Sequence, residues 1–194
     1  MDGKDLLKKV KEDNVKFLSL QFTDVMGAVK SVDMPIRHLE DVLNDGAWFD
    51  GSSVEGFARI QESDMRLKID PDTYAVLPWS AAESKRARVF CDIFTPGGDP
   101  FEGDPRGALK RILKKIADRG WMLNIGPEPE FFLFKGENGQ GVHPVPHDTG
   151  GYFDFSSFDE AVVVRTALMD ALDAMGLDVE VGHHEVALGQ HEID

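Results

Sequence analysis

A chain of 194 residues with 42% hydrophobic and 9% aromatic residues has ordinary globular composition, with length for one large domain or two small ones. Its 35 acidic against 21 basic residues leave a formal charge of -14, which argues against nucleic acid or an anionic membrane as the main partner and suits cation binding or plain solubility. No run approaches the ~18 apolar residues of a membrane span, Met1 to Asp5 lack an apolar signal core, and Cys91 stands alone, so a cytoplasmic protein without intramolecular disulfides is expected.

In chain order, Asp5 to Asn14 reads as a short amphipathic helix, followed by the alternating run from Lys16 to Phe22 and a second strand from Ala28 to Met34. Arg37 to Leu43 after Pro35 suggests a helical connection. Met65–Ile69, Tyr74–Leu77 and Arg88–Phe94 are further strands punctuated by Gly or Pro. Cys91, among apolar neighbours in the last of these, reads as a core thiol. The breakers Gly97-Gly98-Asp99-Pro100 place a domain boundary near residue 100. Asp104 as N-cap and Pro105 at the first helical position then open a helix whose stripe is Leu109, Ile112, Leu113 and Ile116, stopped by Gly120.

Strands are expected at Trp121–Ile125, Glu128–Phe134, Gly151–Phe155 and Asp178–Ala187, with an exposed loop from Gly136 to Gly150. Between them Ser157 and Glu160 form a capping box for a helix with Val164, Leu168, Leu172 and Met175 on its apolar face, ending at Gly176. Strands with few helices, then a strand-helix-strand rhythm, make an α+β protein.

Two groups of carboxylates stand out. Glu128 and Glu130 are two apart at the start of an apolar strand, so period-2 geometry puts both on one face. Like charges about 4 Å apart repel by about 4 kcal/mol at an effective dielectric near 20, so a half-buried pair calls for a counter-cation, whereas an exposed strand start would leave both solvated. The second group packs His183, His184, His191, Glu180, Glu185, Glu192 and Asp194 into fifteen residues. A straight strand would set Glu185 and Glu192 on opposite faces, so joint use requires a turn, for which Gly189 is the obvious position; Gly182 is the matching break between Glu180 and Glu185. Chance surface charge and a transition-metal histidine cluster remain alternatives. Oxygen-rich ligation without cysteine suits Mg²⁺ or Mn²⁺ and points to phosphoryl transfer, and no GxxxxGK[ST] loop is present to hold nucleotide phosphates.

Phe49 to Phe57 (FDGSSVEGF) with Glu62 to Met65, Gly126 to Phe132 (GPEPEFF), Gly150 to Phe153 (GGYF) and His183 to Asp194 (HHEVALGQHEID) occur in the order found in type I glutamine synthetases. The chain resembles the amino-terminal part of that family from about residue 14 to its last residue, and Phe101 to Arg106 adds to the likeness.

The resemblance implies an amino-terminal β-grasp-like domain over residues 1–100 and the incomplete start of an α/β catalytic domain over 101–194. By position it implies that Glu130, Glu185 and Glu192 ligate the metal that orients glutamate, and Glu128 the metal that neutralises the ATP phosphates. Glu180 resembles a nucleotide-contacting glutamate, and Asp50, Ser53, Tyr152 and Glu185 resemble the ammonium-binding group, with Asp50 as base. Arg59 resembles an arginine used for glutamine feedback in some members, and an ordinary salt-bridged arginine fits the position equally. The implied reaction joins ammonium to L-glutamate through γ-glutamyl phosphate at the expense of ATP, in a homo-oligomer of two hexameric rings whose sites lie between subunits. Family enzymes continue for more than this chain's length, so the chain alone is expected to be inactive. His183, His184 and His191 are read as supporting groups rather than ligands. Another γ-glutamyl ligase of the same fold, or a catalytically silent module that binds such subunits, would share much of this pattern; Asp50 and Ser53 favour ammonium.

Overall fold

The alternating run around Leu18 forms β1 (Phe17–Thr23), which buries Leu18, Leu20 and Phe22 on one side. It belongs to a computed structural model that describes residues 1–54, 64–136, 144–155 and 159–194 and divides into two compact units, Met1–Leu123 and Asn124–Asp194. In the first unit β1 joins β2 (Val29–Pro35), β3 (Ala47–Asp50), β4 (Asp64–Val76) and β5 (Arg86–Phe94) in a five-stranded sheet of order β2-β1-β5-β4-β3. β1 and β5 are parallel and the other neighbours antiparallel. Helices α1 (Gly3–Glu12) and α2 (Leu39–Asp45) add Leu6, Val10 and Leu39 to the core.

β5 buries Ala87, Val89, Cys91 and Ile93 in strict alternation, and burial pushes the Cys91 thiol up to about 12, so it is the expected inert core thiol. The two strands expected around Ile69 and Tyr74 are instead one, β4. Its ladder with β5 shifts between Asp70 and Ala75, where Pro71 has no N–H to give, and Thr73 Oγ1 accepts the Phe90 N–H at 2.7 Å. β3, absent from the sequence reading, is four residues long with Trp48 exposed, too short to show a period.

The helix after Pro105, α3 (Pro105–Ala117), starts where Asp104 predicts, but its expected stripe is turned outward: Leu109, Ile112 and Leu113 are exposed. The face held to the sheet carries cations instead. Arg106 pairs with Asp70 and Asp92 at 2.6 Å each, and Lys110 with Asp92 at 2.6 Å. Asp104 itself is buried, its Oδ1 accepting the Arg106 N–H at 3.0 Å and its Oδ2 the Ile93 N–H at 3.1 Å, so one carboxylate caps the helix and ties it to β5. Asp104→Ala should therefore cost about 2–4 kcal/mol, the sum of a lost cap and an orphaned buried N–H. Urea unfolding followed by fluorescence of Trp48, Trp79 and Trp121, all in this unit, measures it; parental stability would contradict the double role.

The second unit holds β6 (Glu130–Phe132), β7 (Gly182–His184) and β8 (Gln190–Ile193) in an antiparallel sheet of order β6-β8-β7, together with α4 (Val162–Ala174). β6 is shorter than expected because Pro127 and Pro129 have no N–H for a ladder; beyond it Phe134 makes only an isolated bridge to Pro146. Trp121–Ile125 and Gly151–Phe155 form no strands. In the latter the backbone turns at Phe153, φ +60°, whose N–H reaches the His184 carbonyl at 3.1 Å. Ser157 lies outside the described residues, and α4 starts with Ala161 as N-cap. Its expected face is again not the packed one, since Val164 and Leu168 are exposed and Arg165 is buried. Gly182, expected as a break, is the first residue of β7, and the strand expected from Asp178 starts only there; an added Cβ would meet Met169 Sδ of α4 at 2.8 Å, so the glycine permits close packing. No helix among the described residues is long and apolar enough to cross a membrane.

Candidate metal centre

Register in the small sheet sorts its side chains. Glu130 lies opposite Glu192, and Glu192 opposite His183, so these three form one row on one face, while Phe131, His191 and His184 form the row beneath on the other. The ladder thus brings together two glutamates sixty-two positions apart in sequence.

Glu185 lies just past the end of β7 and rejoins this face through the turn expected at Gly189. There φ is +68°, and an added Cβ would stand 2.7 Å from the Leu133 carbonyl oxygen, so glycine is required. The turn is closed by the Glu185 N–H on the Gln190 carbonyl at 2.8 Å. Ligand atoms of His183, Glu185 and Glu192 then lie within 4.8 Å of one another, as do those of Glu128, Glu192 and Asp194. Glu192 is common to both sets. Glu130 adjoins it and accepts a hydrogen bond from Gln190 Nε2 at 2.6 Å.

The donor chemistry fits a cation. His183 Nδ1 faces the His184 carbonyl at 3.1 Å, which can only accept, so Nδ1 carries the hydrogen. That leaves the Nε2 lone pair facing Glu192 Oε2 at 3.4 Å and Asp194 Oδ2 at 3.8 Å. Acceptors facing acceptors call for a proton or a metal between them. Glu192 shows the same need: burial, a hydrogen bond with Glu185 and the charges of Asp194, Glu130 and Glu185 raise its carboxyl above the ordinary value. Four carboxylates and one imidazole are a donor set suited to Mg²⁺ or, with the nitrogen, Mn²⁺. His183, read as a supporting group, thus stands inside the cluster. Asp194, noted in the second group but not expected among the metal ligands, joins Glu128 and Glu192, and its spacing of two from Glu192 was the signal.

Family models agree with this layout: the glutamine synthetase beta-Grasp domain matches residues 14–96 and the glutamine synthetase catalytic domain residues 102–194. The chain belongs to the glutamine synthetase family. Glutamine synthetases of Staphylococcus epidermidis and Staphylococcus aureus are 50% identical to it over 192 residues, which is 98% of this chain and 43% of those proteins, so the chain spans less than half their length. A Plasmodium falciparum glutamine synthetase shares the fold over 100% of this chain and 44% of its own, with a TM-score of 0.83 at 19% identity. A GmaS/ADP complex does so over 97% and 43%, with a TM-score of 0.80 at 24% identity. Members of the glutamine synthetase family generally use ATP and a divalent metal.

The other described residues singled out in the sequence lie apart from the two carboxylate sets. Tyr152 is half exposed, stacks on Phe153 at 4.0 Å between ring centres and meets His183 edge-on at 5.4 Å, so it borders the cluster. Glu180 is exposed, joined to the sheet by its backbone N–H on the Asp194 carbonyl at 2.8 Å, and shares neither carboxylate set. Asp50 and Ser53 belong to the first unit, at the end of β3. Asp50 Oδ1 accepts the Ser52 N–H at 2.9 Å and Oγ–H at 2.6 Å, and Oδ2 the Ser53 Oγ–H at 3.0 Å, holding the carboxyl below its ordinary value. Arg59 lies outside the described residues.

Behind the carboxylate face runs a buried polar network in which His184 and His191, expected as supporting groups, meet Asp148 and Arg165, which the sequence reading did not single out. Asp148, His184 and His191 have ligand atoms within 4.8 Å of one another, yet hydrogen bonding argues against a metal here. Arg165 Nη1 donates to His191 Nδ1 at 2.9 Å, so the hydrogen of His191 sits on Nε2, whose lone pair is lost to a metal. His184 has Glu185 O at 2.6 Å from Nδ1 and Asp148 Oδ1 at 2.9 Å from Nε2. Burial opposes charge on this ring, but the two acceptors outweigh it and raise its pKa. Asp148 was expected in an exposed loop and is 4% exposed.

Proposed function

We propose that this chain supplies the ammonium loop and much of the metal site of a glutamate-ammonia ligase, with the β-grasp-like domain over residues 1–100 and the catalytic portion over 101–194. The observation that carries this is the convergence of Glu128, Glu185, Glu192, Asp194 and His183 within two overlapping sets of ligand atoms, beside Glu130, in a chain of this family. Glu130, Glu185 and Glu192, with His183, would hold the cation that orients glutamate; Glu128, next to Glu192 and Asp194, would hold the one that meets the ATP phosphates. Bound there, Mg²⁺ or Mn²⁺ supplies charge neutralisation for phosphoryl transfer. The protein's own residues do the rest. Asp50, kept as a carboxylate by Ser52 and Ser53, attracts ammonium and takes its proton when the γ-glutamyl phosphate is attacked. Tyr152 and Ser53 complete the ammonium group, Glu180 contacts the nucleotide, and Arg59 is the feedback contact. Glutamate, ammonium and ATP are the substrates, the active assembly is two hexameric rings, and this chain alone is inactive.

Calorimetric titration of the chain with Mn²⁺ tests the metal reading. Glu185→Ala and Glu130→Ala should each weaken binding about tenfold or more, since each removes one carboxylate from a shared site. Binding should also fade in acid from a pH above the ordinary Glu value, because Glu192 takes up its proton early and a protonated carboxyl no longer ligates. Equal affinity in all three proteins would reject the assignment.

A further inference from the structure

Glu130 and Glu192 are held by the β6–β8 ladder, whereas Glu185 lies beyond β7, on the turn from Glu185 to Gly189, whose Val186 and Leu188 are exposed. A ligand on a turn needs another restraint if its carboxylate is to stay beside Glu192. The buried face provides one. Asp148 Oδ1 accepts the Gly189 N–H at 3.1 Å and faces His184 Nε2 at 2.9 Å, while its Oδ2 accepts the Glu160 N–H at 3.2 Å. His184, 1% exposed, passes the restraint on through Nδ1 to the Glu185 carbonyl at 2.6 Å. One carboxylate therefore grips both ends of the turn, Gly189 directly and Glu185 through the imidazole.

We propose that Asp148 is a positioning residue for the metal carboxylates: by bridging Gly189 and His184 under the sheet it closes the β7–β8 turn and sets Glu185 against Glu192. The proposal rests on the metal-site reading above. Asp148 touches no ligand atom of the outer cluster and acts through the turn alone. Two of the three donors, Gly189 and His184, sit on Oδ1, so an asparagine could keep that oxygen in place, whereas an alanine removes both oxygens and leaves all three donors without an acceptor. The clamp is then broken at Gly189 and at His184 together.

The test compares Mn²⁺ binding, read from the electron-spin resonance of free Mn²⁺, for the 194-residue chain and its Asp148→Ala and Glu192→Gln variants, each well below its melting temperature. Loss of a group that orients a metal ligand typically lowers metal affinity about 10–100-fold, and Asp148→Ala should fall in that range while far-UV circular dichroism stays parental. A merely structural Asp148 would lower the melting temperature and leave the affinity of the folded protein unchanged; that outcome, with Glu192→Gln weakened, overturns the positioning role alone. Parental affinity in Glu192→Gln overturns the metal reading and the positioning role with it. Should Asp148→Ala fail to fold, His184→Gln, which breaks the bridge to Glu185 but leaves Asp148 on Gly189 and Glu160, carries the same readout, and parental Mn²⁺ affinity in that variant overturns the proposal.

Discussion

Arg165→Met should destabilise the second unit by about 3–5 kcal/mol, the cost of breaking a buried ion pair by removing one partner. Arg165 and Asp159 have side chains only 7% and 5% exposed, joined through Nη1 to Oδ1 at 2.9 Å and through Nη2 to Oδ2, and the same Nη1 reaches His191 Nδ1. Methionine would leave Asp159 charged and buried with the Ala161 N–H, at 3.1 Å, as its remaining hydrogen bond. In a unit spanning only Asn124–Asp194, such a loss takes up much of a typical domain's stability of about 5–15 kcal/mol. Amide exchange of His191 and Ile193 in β8 measures it, and tryptophan fluorescence should not respond, because all three tryptophans lie in the first unit.

The pH dependence follows from sign. Hydrogen bonding to Arg165 holds the Asp159 carboxyl below its ordinary value, so its contribution is present above about pH 4 and is lost as pH falls through the depressed value. The gap between parent and variant should therefore be widest near neutrality and narrow in acid. Asp159→Leu added to Arg165→Met should recover part of the loss, since it removes the stranded charge. Parental exchange rates in the single variant would mean that the pair contributes nothing.

Much of the fold was legible because alternation survives wherever one face of a strand is buried, as in β1 and β5. The turn at Gly189 was legible for a different reason: joint use of Glu185 and Glu192 is impossible on one straight strand. The helices misled. An apolar stripe at helical spacing ordinarily marks the packed face, but in α3 the packed side is Arg106 and Lys110 against two aspartates, and in α4 it includes Arg165. Charged side chains rarely pack inward unless paired, and their partners, Asp70 and Asp92 for α3, are distant in sequence. Asp148 was missed for the same reason. Nothing near it in sequence distinguishes it from a loop aspartate; its role comes from His184 and Gly189, thirty-six and forty-one positions away.

Asp50→Ala, in a full-length glutamine synthetase carrying this sequence, should lower amide formation by about 10²–10⁴ while leaving ATP binding close to parental. The structure explains why so exposed a group could matter. Three hydrogen bonds from Ser52 and Ser53 fix both oxygens of Asp50 and hold its carboxyl below the ordinary value; in the role proposed above it would be a strong electrostatic site for ammonium and a weak base towards it. An amine that, like lysine, gives up its proton near pH 10 will not surrender it to a carboxyl below about 4 unless the nitrogen attacks at the same time. Removal of Asp50 should then damage the step after γ-glutamyl phosphate has formed, and the loss should be milder with hydroxylamine, which is largely unprotonated near neutrality. Ser52→Ala should have a smaller effect of the same kind, since the carboxylate remains. The two-ring assembly proposed above adds a second readout: mixing Asp50→Ala subunits with Glu130→Ala subunits should restore some activity, because a mixed interface can pair an intact Asp50 loop with an intact metal site. If reassembled mixed rings regain nothing, although each parent ring forms normally, the shared site is wrong; if hydroxylamine and ammonium suffer equally, Asp50 does not handle the ammonium proton.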